Sequence, residues 1–247
     1  MRANCVYIYC PVCGQYFLYY GGCNVPDIES FIIRILACAL LGVGAGVLGV
    51  YFAKLLLKQR GLKYSLSKKT ERITVCLMAL PGGAIGAFCG GYVLPICGLC
   101  LLCICVTVSL TDFTNRIIPN QGVLALLLLS LAFWIPSMCG VKGFPEFDVV
   151  QSLIGLAVCF VVFSLPGLFG KKVGAGDIKL AAAMGFCLGI NYALLAIAVM
   201  GMMVILYGML QRRLPIMGFL KTQIPMAPFI TVGCMAAFIL SGAQIIM

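Results

Sequence analysis

Long apolar runs dominate the chain and alternate with short polar stretches that hold most of its charged residues. A helix that crosses a bilayer needs about 20 mostly apolar residues, and such runs recur from about residue 31 to the end of the chain. The pattern predicts eight spans, of which the third and sixth are short: 31–55, 73–94, 96–111, 120–140, 149–169, 178–190, 191–211 and 224–246. The sixth span could instead join the seventh or be re-entrant.

Composition supports a membrane protein and excludes most soluble classes. Apolar residues make up 63% of the chain and charged residues 10%, whereas a soluble domain carries roughly 25% charged residues. We therefore expect an all-α, polytopic transmembrane bundle formed by residues 31–247. Residues 1–30, rich in Cys and Tyr, are expected to form a separate extension on the extracytoplasmic side.

The basic residues predict the orientation of the bundle. The stretch 58–72 contains six basic residues and one acid, and positively charged loops stay in the cytoplasm. The N-terminus is then outside, and eight spans place every other basic group on the cytoplasmic side: Arg116, Lys171, Lys172, Arg212, Arg213 and Lys221. A seven-span model would put one of these groups outside. This placement also explains the net charge of +10 without a nucleic-acid partner.

The inventory of reactive side chains is short. The chain has no histidine, which excludes Ser-His-Asp and Cys-His catalysis. Most of the fifteen cysteines lie inside apolar runs, where thiols behave as small hydrophobes. Four others precede the first span: Cys5, Cys10, Cys13 and Cys23. A zinc ribbon needs a second CxxC pair, so no metal site is predicted there, and disulfides or free thiols remain open.

Glycines recur at helical spacing in several predicted spans, as in Gly42, Gly46 and Gly49 and again in Gly82, Gly86 and Gly90. Such stripes allow membrane helices to approach closely. A similar stripe of Ala181, Gly185 and Gly189 follows Asp177, and we expect it to pack on the third span.

Two acids stand apart from the other five. Asp112 ends the third predicted span and Asp177 begins the sixth, and the topology places both at the cytoplasmic face. An ionisable residue at membrane depth is costly and indicates a functional site. Either acid could instead be a helix cap or a loop charge. The other five acids are expected to be solvated loop charges: Asp27, Glu29, Glu71, Glu146 and Asp148.

A pair of neighbouring carboxyl groups can hydrolyse a peptide without metal or histidine. Two carboxyls a few ångströms apart share one proton, so that one activates water while the other polarises the scissile carbonyl. Gly174 and Gly176, which lack side chains, would let an extended peptide come close to Asp177. The alternative is a small proton- or ion-coupled transporter that uses Asp112 and Asp177, although transporter sites usually lie at the midplane of the bilayer.

The motifs around these acids resemble those of the type IV prepilin peptidases, the bacterial GxGD aspartyl proteases. Asp112 is followed by Ile118-Pro119-Asn120, which resembles the family's IPN-type turn after its first aspartate. The segment 174–180 resembles the GxGD-x-KL motif with its second aspartate, and residues 224–229 resemble the PFGP-like start of the last helix. Presenilin-type GxGD proteases place their first aspartate after Tyr, whereas Thr111 precedes Asp112 here.

The resemblance implies a multi-pass protein of the plasma (inner) membrane that removes the basic leader of type IV prepilins or pseudopilins at the cytoplasmic face. It implies Asp112 and Asp177 as the catalytic residues, with motif support from Gly174, Gly176, Lys179, Pro119 and Asn120. Lys179 could lower the pKa of an aspartate, or it could simply extend toward lipid headgroups.

The chain departs from the family pattern in the loop after the first span. Many members carry two zinc-binding CxxC pairs there, but residues 58–72 contain no cysteine. Cleavage is expected to need no cofactor. Because methylation of the mature N-terminus is usually linked to that loop, S-adenosylmethionine would be required only if this second activity is present, which the sequence leaves open. It also leaves open which pilin is cut and the oligomeric state.

Overall fold

The computed structural model describes residues 6–10, 15–19, 28–89, 93–139, 148–168, 174–210 and 225–244. These form a short antiparallel hairpin and a helical bundle. The hairpin pairs β1 (Val6–Cys10) with β2 (Gln15–Tyr19). The helices are α1 (Ile28–Gln59), α2 (Lys68–Leu77), α3 (Ala79–Phe88), α4 (Val93–Asn115), α5 (Asn120–Met138), α6 (Val149–Leu168), α7 (Ala175–Leu210) and α8 (Ala227–Gln244).

The predicted polytopic helical bundle is confirmed. In the described part of the chain, five helical stretches are long and apolar enough to cross a membrane, counting α2 and α3 as one stretch, and two shorter apolar helices accompany them. The prediction of a short third span was wrong, because α4 extends over 23 residues. The hairpin in the N-terminal extension was not predicted, since neither of its strands shows a clear alternation of apolar and polar residues.

The sixth and seventh predicted spans form the single element α7, which is broken at Gly189 (φ 71°, ψ 172°). Met184 and Ile230 border the same small cavity, and Tyr207 stacks edge-on against Phe229 with ring centroids 5.5 Å apart. In one straight helix, Met184 and Tyr207 would be separated by roughly 34 Å. The chain must therefore double back at Gly189, in a backbone conformation that suits glycine.

Glycine contacts hold the helices together, as the stripes predicted. A Cβ added to Gly42 of α1 would lie 2.9 Å from the Cα of Gly82 in α3, and one added to Gly49 would lie 2.7 Å from Val106 of α4. Backbones that touch at such positions permit dense packing in a bilayer, where apolar surface alone provides little driving force. Residue Gly90 lies outside the described part.

The stripe after Asp177 packs on a different helix from the one predicted. Gly185 meets the backbone of Gly155 in α6, and Gly189 lies beside Gln151 of the same helix. The expectation that this stripe faces the third span, α4, was therefore wrong. This stripe therefore does not join the segment that carries Asp177 to α4, which carries Asp112.

Candidate active site

Asp112 lies in the last turn of α4, where the helix ends abruptly. Arg116 adopts a left-handed conformation (φ 53°), and its N–H donates to the carbonyl of Asp112 at 2.7 Å. A left-handed residue directly after a helix is a common way to terminate it. The chain then turns through residues 116–119 into α5, and this turn contains the predicted IPN motif.

The carboxyl of Asp112 is held from the opposite side by α8. Its Oδ2 accepts the N–H of Ala227, the first residue of that helix, at 2.9 Å. Only 5% of Asp112 is exposed, and a carboxylate is a strong acceptor for the free N–H groups at a helix start. The segment 224–229, which contains Pro225 and Pro228, marked this region in the sequence as the start of the last helix. The hydrogen bond itself could not be predicted, because every residue except proline has a backbone N–H.

Asp177 occupies the first turn of α7. The helix begins at Ala175, so Gly174 has the capping position, and the possibility that Asp177 is the N-cap does not fit. Its N–H donates to the carbonyl of Gly174 at 3.0 Å, and its Oδ2 would lie 2.6 Å from a Cβ added to Gly174. Any side chain at position 174 would therefore displace the carboxyl.

A direct contact joins the two aspartate motifs. A Cβ added to Gly176 would lie 2.9 Å from the Cβ of Ile118, so the GxGD turn rests on the turn that follows Asp112. Ile118 lies six residues after Asp112 and Gly176 directly precedes Asp177, so this contact joins the segments that carry the two acids. Asp112 is buried and Asp177 is half-buried, so the carboxyl of Asp177 is the more accessible of the two.

The supporting residues of the motifs have distinct positions. Pro119 is buried and its carbonyl accepts the N–H of Gly122 at 3.0 Å, which starts α5. Asn120 and Lys179 are exposed. No ion pair joins Lys179 to either acid in the described residues, so the suggestion that its charge tunes an aspartate finds no contact to support it.

The basic segment after α1 lies at the same end of the bundle. The side-chain amide of Asn115 donates to the carbonyl of Lys63 at 3.4 Å. Nearby, Lys54 pairs with Glu71 at 2.8 Å and lies 5.1 Å from the ring centroid of Tyr64. Burial, together with the charge of Glu71, raises the pKa of Tyr64 to about 12, so this phenol stays neutral near pH 7.

Two acids that were expected to be free loop charges have structural partners. Glu71 forms the ion pair with Lys54, and Asp148 caps α6 by accepting the N–H of Val150 at 2.9 Å. Several residues of the orientation argument lie outside the described part: Lys171, Lys172, Arg212, Arg213 and Lys221. The same holds for Asp27, Glu146, Cys5, Cys13 and Cys23.

A larger apolar cavity of about 580 Å³ lies between α1, α4 and α5 and contains neither aspartate. Thr107 lines it, and Asp112 follows five residues later. At 100° per residue, the two side chains point about 140° apart around α4. The cavity therefore opens on a different face of the helix from the acid pair.

The fold is that of a polytopic membrane protein in which the segments that carry Asp112 and Asp177 contact each other through Ile118 and Gly176. Residues 99–209 match the sequence model of the type IV leader peptidase family, and this range includes both acids. The predicted resemblance to type IV prepilin peptidases is thus confirmed. The chain is also 26% identical, over 239 residues, to the "Prepilin leader peptidase/N-methyltransferase" of Bacillus subtilis (strain 168), covering 90% of this chain and 88% of that protein. No solved structure matches the chain.

Proposed function

We propose that the protein is an aspartyl endopeptidase that removes the leader peptide of type IV prepilins or pseudopilins, with Asp112 and Asp177 as its catalytic pair. The observation that supports this most is the contact of Gly176 with Ile118, which joins the two chain segments that carry the acids. The family match and the name of the B. subtilis relative support peptidase activity on prepilins.

The proposed reaction follows from two acids that share a proton. Two nearby carboxyls avoid double ionisation, so one is a carboxylate and the other keeps its proton. The carboxylate takes a proton from a water molecule as that water attacks the scissile carbonyl, and the neutral acid donates to the carbonyl oxygen. Collapse of the tetrahedral intermediate breaks the C–N bond, and the amine leaves with a proton from the pair.

The proposed setting is the plasma membrane, with the acid pair at the cytoplasmic face and the N-terminus outside. The basic segment 58–72 supports this orientation, because positive charge stays in the cytoplasm and this segment contacts the end of α4 that carries Asp112. Lipid and the prepilin are the expected partners. Methyl transfer, part of the relative's name, is not included in the proposal, because residues 58–72 lack the cysteines usually linked to it.

The test is leader cleavage by Asp112→Asn and Asp177→Asn variants co-expressed with a prepilin. We expect both variants to accumulate in the membrane at the wild-type level and to leave the prepilin uncut on a gel, because each removes one member of the pair. Asp148→Asn is the matched control: it also removes a carboxylate, but Asn caps a helix as well as Asp does. Processing above a few per cent in either catalytic variant would refute the two-aspartate mechanism.

A further inference from the structure

The last helix, which lies outside the matched range 99–209, contacts the end of α4 that carries Asp112 at more than one point. One turn before Asp112 in α4, the hydroxyl of Ser109 lies 2.7 Å from the hydroxyl of Thr231 in α8. Thr231 is one turn beyond Ala227, the donor to the Asp112 carboxyl. The two contacts are therefore stacked, one helical turn apart, in the same interface.

The hydrogen positions follow from the partners. The hydroxyl of Thr231 donates to the carbonyl of Pro228 at 3.0 Å, and a hydroxyl has one proton to donate. When Thr231 uses its proton in this way, Ser109 is the donor to Thr231, which gives a chain from Ser109 through Thr231 to Pro228. Pro228 adjoins Ala227, so this chain ends next to the N–H that meets Asp112.

The hydrogen bond between Ser109 and Thr231 lies in a buried environment, where a replacement side chain without a hydroxyl would leave its partner unbonded. Thr231 is 7% exposed, and a buried hydroxyl that loses its partner costs free energy, because no water replaces it. Interhelical hydroxyl bonds in membrane proteins are individually modest. The position of this bond matters more than its strength, because a shift of α8 along α4 would move the Ala227 N–H away from the Asp112 carboxyl.

We propose that Ser109 and Thr231 are positioning residues for the catalytic carboxyl of Asp112, setting the register of α8 on α4 so that the Ala227 N–H orients that group. The inference rests on the proposed function, since it concerns the same acid pair. It predicts a loss of turnover without a matching loss of substrate affinity, because neither hydroxyl is expected to touch the substrate.

The experiment is a double-mutant cycle on leader cleavage with purified, full-length protein in lipid nanodiscs. Thr231→Val and Ser109→Ala are each expected to lower kcat about ten-fold with KM nearly unchanged, as expected for a displaced catalytic group. The double variant should be no slower than the slower single variant, because both changes remove one shared contact. Thr231→Ser keeps the hydroxyl and should retain wild-type kcat.

Thr107→Val is the matched control. Thr107 is a buried hydroxyl on the same helix, and it faces α1: it lies 3.3 Å from the carbonyl of Gly49 in α1 and 2.8 Å from the carbonyl of Cys103 in its own helix. A purely structural role for hydroxyl bridges would make Thr107→Val as slow as Thr231→Val. Wild-type kcat in Thr231→Val, additive losses in the double variant, or an equally impaired Thr231→Ser would each overturn the inference.

The outcomes separate this inference from the proposed function. If the wild-type protein cleaves and the Asp112→Asn and Asp177→Asn variants do not, the proposed function holds and the hydroxyl variants alone decide the inference. If the aspartate variants also cleave, the proposed function fails and the positioning role fails with it.

Discussion

The bundle holds its helices together in two different ways. Where α1 meets α3, Gly42 and Gly82 let the backbones touch, and a Cβ at either position would lie 2.9 Å from the opposing Cα. Where the end of α4 that carries Asp112 meets the start of α8, polar groups make the contact: the Ala227 N–H on Asp112 and the hydroxyl of Ser109 on Thr231. Small residues determine how closely two helices approach, whereas a hydrogen bond between polar groups also fixes the orientation of those groups.

This difference separates structural stability from chemistry. A glycine contact has no donor or acceptor aimed at a reacting atom, so its loss should weaken the fold first. A polar contact beside the acid pair should control turnover first, since an active site depends on small displacements. Gly176 combines both features, because it is a close glycine contact located between the two aspartate motifs.

The largest effect is expected for Gly176→Ala. The added Cβ would lie 2.9 Å from the Cβ of Ile118, so the two motifs must move apart. A displacement of about 1 Å at an active site can cost roughly 100-fold in rate, and we expect cleavage to fall between ten- and 100-fold while the protein remains folded. Gly201→Ala, in the part of α7 beyond its break at Gly189 and with nothing within 4 Å of its Cβ, should cleave normally. Equal rates for the two variants would mean that the contact between the motifs does not matter.

A smaller effect, on stability, is expected for Gly42→Ala. Overpacking of this kind typically costs about 1–3 kcal/mol, and the neighbouring atoms at Gly42 are backbone atoms that cannot rotate away. Thermal unfolding in detergent should show a lower Tm, with turnover of the remaining folded protein unchanged. Gly44→Ala, two residues further along α1 and with nothing within 4 Å of its Cβ, should unfold like the wild type. A Gly42→Ala variant that keeps the wild-type Tm but loses turnover would contradict the claim that glycine contacts affect stability first.

The smallest effect is expected from a chelator. Two carboxyls and a water molecule suffice for the proposed hydrolysis, so EDTA should leave the cleavage rate unchanged. Leader cleavage before and after EDTA treatment measures this. A loss of activity that zinc restores would contradict this prediction and would make the N-terminal cysteines Cys5, Cys10, Cys13 and Cys23 the first candidate ligands to test.

Much of this arrangement could be predicted from the sequence because each feature has a local signal. Apolar runs of span length predicted the bundle. Gly174, Gly176 and the acids at the span ends predicted where the motifs lie. The contact of Gly176 with Ile118 could not be predicted, because it joins segments about sixty residues apart and depends on the packing of several helices.

The errors have similar causes. The stripe of Gly185 and Gly189 was correctly predicted to pack closely, but its partner is α6, since a stripe of small residues does not specify the helix that it meets. The extent of α4 was underestimated, because the helix continues beyond the predicted end at residue 111 through Asp112, a polar residue that nevertheless stays buried. Buried polar residues of this kind are the ones that hydropathy assigns to a loop.

The most direct test of the account is the separation of the Asp112 and Asp177 carboxyl groups in an experimental structure of the protein in a lipid bilayer. We predict that their nearest oxygens lie within about 5.5 Å, the reach of one water molecule that accepts or donates a hydrogen bond of roughly 2.8 Å on each side. Carboxyl groups that point away from each other, too far apart for such a water to bridge them, would contradict a shared-proton mechanism.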